Sequence, residues 1–124
     1  MNFLSEAHAL EGEMRAFFED LHRHPEPSHF ENRTNQRVRE QLRAHQIDML
    51  CPKDNITIAV IRGAKPGKTV GLRFDTDALQ MQELCDVPYK SETDGLMHGC
   101  GHDAHTTCGV FVARLLKAHA DALC

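Results

Sequence analysis

Ile56-Thr57-Ile58-Ala59-Val60-Ile61, followed after a short connector by Thr69-Val70-Gly71-Leu72-Arg73-Phe74, decides the fold class. The first run is rich in β-branched residues with apolar side chains on both faces. The second places Val70, Leu72 and Phe74 at alternating positions, so both runs read as strands. The connector Gly63-Ala64-Lys65-Pro66-Gly67 is too short for a parallel crossover, which predicts that the two strands pair antiparallel. Residues 47–50 read as a further short strand and Cys51-Pro52-Lys53-Asp54-Asn55 as a turn.

Helical patterns lie on either side. Over residues 3–23, Leu10, Met14, Phe17, Phe18 and Leu21 recur at helical spacing, and prolines at Pro25 and Pro27 end the pattern. A second helix is expected after a cap at Asn32 or Thr34, running to about Gln46 with Arg37, Arg39, Glu40 and Arg43 on its exposed face. A third is expected from near Asp103 to about Leu123, with Cys108, Val112, Leu115 and Leu116 on one apolar face. Strands between helices make an α/β chain.

The stretch entering that last helix, Leu96-Met97-His98-Gly99-Cys100-Gly101-His102-Asp103-Ala104-His105, carries the chemistry. A thiolate at Cys100 and an imidazole at His102, held by a glycine turn, suit zinc, manganese, cobalt or nickel, with His98 and His105 as further candidates. Upstream, Asp75 and Asp77 leave a strand at i and i+2 and point to one side, where they can ligate a cation or orient a ligating imidazole. The segment His22-Arg23-His24-Pro25-Glu26 reads more readily as a helix end than as a catalytic element, and Gln82, Glu83 and Glu92 as solvated.

The 124 residues suit one domain, and a formal net charge of -4 without a basic stripe gives no reason to expect nucleic acid. No basic segment precedes an apolar run and no stretch approaches a transmembrane length, so a cytoplasmic location without membrane association is expected. Five scattered cysteines fit reduced thiols rather than a disulfide framework.

In combination, Leu21-His22-Arg23-His24-Pro25-Glu26, Gly71 to Leu79, Pro88-Tyr89 with Ser91, and Gly95 to Thr107 resemble the N-terminal part of the metal-dependent amidohydrolases of the aminoacylase and carboxypeptidase superfamily. The nearest branch holds hippurate hydrolase and the N-acyl amino acid amidohydrolases. The resemblance implies residues 1–124 form part of a catalytic domain, a mixed β-sheet flanked by helices, lacking the lid or dimerisation domain. It implies two divalent metals per complete site, Cys100 and His102 as ligands, Asp77 as the carboxylate that orients a ligand, and Asp75 where other branches place a ligating histidine. It further implies hydrolysis of an amide bond in an N-acyl amino acid or small peptide, and leaves homo-oligomerisation of full-length relatives open. Gln80, Gly99 and Pro27 depart from that branch's usual proline, alanine and leucine without removing a matched ligand.

In the family a later Glu-Glu pair, with its general base, and further histidine ligands lie beyond the position of Cys124. The expectation is therefore a truncated piece with weak metal binding and little turnover. The alternative is a non-catalytic metal-binding or structural fragment. A cysteine nucleophile at Cys100 is a weaker reading, since Cys-Gly-His on one turn favours joint ligation over proton transfer.

Overall fold

The computed structural model describes residues 2–124. Helices α1 (Phe3–Ala9), α2 (Glu11–Arg23) and α3 (Asn32–Ala44) precede strands β1 (Asp48–Lys53) and β2 (Ile56–Val60). Helix α4 (His102–Ala118) and a short 3₁₀ turn, Ala120–Ala122, close the chain.

The pattern expected as one helix over residues 3–23 is two helices. The break falls at Leu10, whose amide donates to the Ala7 carbonyl in a tightened last turn, while the Asn2 side chain accepts from the Ser5 amide at the other end of α1. Neither Asn32 nor Thr34 caps α3. Glu26 does so from the preceding loop, its carboxylate accepting from the Arg33 amide at 2.9 Å and the Thr34 amide at 2.6 Å. At its other end α3 closes with Gln46 at φ 53, the Ile47 amide donating to Leu42 and the Gln46 amide to Arg43. This is a Schellman closure, and Ile47 and Leu42 pack together beneath it.

The expected strand pair is also corrected. β2 pairs antiparallel with β1, joined through Asp54 and Asn55, with Asp48 opposite Val60 and Leu50 opposite Ile58. Residues 69–74 pair with neither strand and make no backbone–backbone hydrogen bond. Their strand-like alternation is real, but each end is tied elsewhere. The Asp75 carbonyl accepts from the Thr106 hydroxyl, and the Phe74 ring lies so close to Gly109 that a Cβ there would stand 2.7 Å from it. Upstream, the Ala64 and Lys65 amides donate to the Ala120 and Leu123 carbonyls. The only sheet among the described residues is thus an antiparallel pair, not a mixed sheet.

Arg39, expected on an exposed face, instead fastens α3 to the hairpin. Its guanidinium donates to the carbonyls of Lys53, Asp54 and Ile56 and to the Thr57 hydroxyl. Two apolar clusters hold the helices: Phe17 and Leu21 of α2 against Val110 and Phe111 of α4, and Leu42, Ile47 and Ala113 beside them. Burial of each such side chain contributes about 1.5–3 kcal/mol relative to exposure. The buried face of α4 is therefore Thr106, Thr107, Val110, Phe111 and Ala113; Cys108, expected inside, is exposed because it lies on the opposite side of the helix.

Candidate metal centre

Gly101, at φ 78, turns the chain into α4 and leaves Cys100 exposed on the turn and His102 as the first helical residue. His102 meets the segment that ends at Asp77. Its Nδ1 lies 2.9 Å from the Asp77 carbonyl oxygen and 3.0 Å from Asp77 Oδ1. Both neighbours only accept, so Nδ1 carries a proton and Nε2 is the ring nitrogen turned away from Asp77. A carboxylate fixing an imidazole in this way is the usual support of a metal-ligating histidine.

Asp75 is placed differently. Its Oδ1 accepts from Arg73 at 2.5 Å, its Oδ2 stands 3.8 Å from His105 Nδ1, and its own amide donates to that nitrogen at 3.2 Å. The structure thus brings Asp77 to His102 and Asp75 to His105, with the two imidazole rings 6.4 Å apart. Among the described residues no three His, Cys, Asp or Glu side chains converge closely enough to hold a metal ion. The donors fit a divalent metal in kind, a thiol and an imidazole with one free nitrogen, and supply half of a four-ligand shell.

Beneath this turn lies a buried polar cluster that sequence reasoning passed over. His22 Nδ1 lies 2.6 Å from Asp103 Oδ2 and His22 Nε2 3.1 Å from Glu83 Oε1. With a carboxylate at each nitrogen, His22 donates twice and is an imidazolium. Burial opposes that charge, but the bonds to Asp103 and Glu83 outweigh it and raise the His22 pKa above its ordinary value. Glu83, expected to be solvated, is buried. Burial pushes its pKa up, yet the Ser91 amide at 2.6 Å and His22 together hold it below the ordinary carboxylate value. His22, read from sequence as part of a helix end, is instead buried on α2, and nothing in the sequence points to Glu83 as its partner. His98, a candidate ligand by sequence, is buried nearby with neither ring nitrogen hydrogen-bonded, and burial lowers its pKa.

Residues 71–123 match the sequence profile of Peptidase family M20/M25/M40. The chain is 42% identical over 100 residues to N-acetylcysteine deacetylase of Bacillus subtilis, covering 79% of this chain and 26% of that protein. It is 34% identical over 120 residues to hippurate hydrolase of Campylobacter jejuni, covering 95% and 31%. Its fold superposes on the Bacillus subtilis YXEP protein, a dinuclear metal-binding peptidase of the M20 family, with a TM-score of 0.86 at 38% identity, covering 90% of this chain and 32% of that one. The chain belongs to the M20 peptidase family.

A structure from methicillin-resistant Staphylococcus aureus, described as an aminohydrolase, agrees with this M20 chain over 98% of its length with a TM-score of 0.92 at 32% identity. The M20 chain spans about a quarter to a third of the length of the relatives it matches. No helix among its described residues is long and apolar enough to cross a membrane.

Proposed function

We propose that this chain supplies part of the catalytic domain of a metal-dependent amidohydrolase that cleaves the amide bond of N-acyl amino acids or small peptides through a dinuclear centre. The observation that carries this reading is the bond from His102 to Asp77, which leaves Nε2 bare beside the Cys100 turn. Cys100 and His102 are the ligands, Asp77 holds the His102 ring, and Asp75 joins once its carboxylate turns from Arg73. A divalent ion bound there, zinc, manganese, cobalt or nickel, supplies a water acidified toward neutrality. The five free cysteines suit a reducing, cytoplasmic setting.

A second reading is a non-catalytic metal-binding or structural fragment, since among the described residues no third donor converges on Cys100 and His102. Both readings predict weak binding by the 124-residue chain alone. Titration with cobalt(II), read by the thiolate-to-cobalt absorption band, is expected to show weak binding that Cys100→Ser abolishes. An unchanged band in Cys100→Ser overturns the ligand assignment. Hydrolysis of hippurate by the isolated chain is expected to be negligible, and robust turnover overturns its incompleteness. Supplying the remaining two-thirds of a relative such as YXEP in trans separates the two readings. Restored turnover supports the hydrolase, and metal binding without turnover supports the fragment.

A further inference from the structure

Two short stretches run side by side next to the Cys100 turn. The Leu79 amide donates to the Met97 carbonyl at 2.9 Å, and the Met97 amide returns the bond to the Leu79 carbonyl at 3.0 Å. Each stretch then turns tightly, the Met81 amide donating to the Leu79 carbonyl and the Gly99 amide to the Met97 carbonyl, both at 2.9 Å. These turns bring Met81 against Gly99. The Met81 sulfur fills the space that a Cβ on Gly99 would take, and Leu79 Cδ1 lies 3.7 Å from the same point. Glycine at this position is what admits the thioether.

The residue after Gly99 is Cys100, exposed on its turn. Met81 is 43% exposed and Leu79 41% exposed, so an apolar surface stands open to solvent beside a residue read as a metal ligand. Gln80 and Gln82 flank Met81, and no charged residue lies between Asp77 and Glu83. Those two carboxylates are themselves engaged, by His102 and by His22 with the Ser91 amide. An uncharged wall with an adaptable thioether suits an unbranched apolar group. In an N-acyl amino acid the acyl chain begins on the carbonyl carbon that reacts, whereas the amino-acid side chain begins beyond the nitrogen and Cα. A wall against the neighbour of Cys100 therefore meets the acyl chain first. We propose that Met81 and Leu79 form the specificity wall for an unbranched apolar acyl group, seated there because residue 99 is glycine. The assignment rests on the hydrolytic reading above.

The chain carries five methionines, so labelling with [methyl-13C]methionine gives one signal for each, and Met81→Leu identifies that of Met81. The labelled chain, in excess zinc(II), is titrated with N-octanoylglycine, N-acetylglycine and N-acetyl-2-aminooctanoate. N-octanoylglycine is expected to shift the Met81 signal and to bind about tenfold tighter than N-acetylglycine. N-acetyl-2-aminooctanoate, with its long chain on the amino-acid side, is expected to leave that signal in place. The reverse pattern makes Met81 a wall for the amino-acid side chain and overturns the acyl assignment. No shift with any of the three overturns the wall itself. Gly99→Ala displaces only the far end of a flexible side chain, so its urea midpoint is expected to stay near that of the wild type while the tenfold preference is lost. Met81→Gln, read by calorimetry, is expected to lose the same preference without moving a ligand. A preference retained in both variants overturns the proposal. The Met81 signal reports binding without turnover, so its failure leaves the ligand assignment to be judged by the cobalt(II) band of Cys100 alone.

Discussion

His22 Nδ1 and Asp103 Oδ2 lie 2.6 Å apart in the interior, joining the end of α2 to the first turn of α4 immediately beneath the Cys100–His102 turn. Glu83 completes the arrangement on the other ring nitrogen, so one imidazolium sits between two buried carboxylates. This ties three distant parts of the chain at the base of the candidate metal centre.

The charge state of His22 makes stability depend on pH. A histidine whose folded pKa is raised contributes fully below its ordinary value of 6.5 and loses that contribution as pH rises through the higher folded value. Glu83, held low, contributes above 4.5 and loses its contribution as pH falls through its lower folded value. The cluster therefore stabilises most between about pH 4.5 and 6.5. His22→Gln is expected to cost about 3 kcal/mol at pH 6, since it leaves two buried carboxylates without their cation. The difference between wild type and variant in urea unfolding should shrink as pH rises above 6.5. A difference that is flat with pH shows that His22 is not charged in the fold.

At Gln46 a side chain occupies the left-handed position of a Schellman closure, where glycine is usual. The Cβ costs about 1–2 kcal/mol there, partly offset in glycine by its greater unfolded freedom. Gln46→Gly is expected to stabilise the chain by about 0.5–1 kcal/mol, measured by urea unfolding. Gln46→Val should lower stability.

Helix existence was legible in the sequence wherever apolar spacing was helical, as at Phe17 and Leu21, because that spacing records a face that must be buried. What eluded it depended on partners far along the chain. Residues 69–74 alternate as a strand does, yet alternation specifies which side is apolar and not which backbone lies alongside. Glu26 caps α3 from outside the helix, and Glu83 meets a histidine 61 positions away, so neither leaves a local signature. The carboxylates at Asp75 and Asp77 read from sequence as a pair, but in the structure that of Asp77 meets His102 while that of Asp75 is held by Arg73 and stands 3.8 Å from His105. Spacing gives the direction of a side chain, and the choice of imidazole is made by the packing of α4.

Gly101 permits the turn that presents Cys100 and His102. No atom lies within 4 Å of the position a Cβ would take, so any cost of a side chain there is backbone strain alone. Gly101→Ala is expected to destabilise the chain by about 1–2 kcal/mol, and Gly101→Asn by less, because asparagine visits the left-handed region more readily. Urea midpoints for the two variants check the order. Equal losses would point to a cause other than φ.

Asp77 is the residue on which the metal reading can be tested without removing a ligand. Its carbonyl and carboxylate oxygens both accept from His102 Nδ1. In Asp77→Ala the carbonyl remains, so the tautomer is retained while the carboxylate's charge and half of the ring's orientation are lost. Cobalt(II) affinity is expected to fall by about 10-fold, with the thiolate band of Cys100 preserved in shape at saturation. Asp75→Ala, acting on a carboxylate held by Arg73 and beside His105, should weaken binding by a similar factor only if Asp75 becomes a ligand. Loss in Asp77→Ala with none in Asp75→Ala confines the site to Cys100 and His102. The reverse result makes Asp75, rather than Asp77, the carboxylate that supports the site.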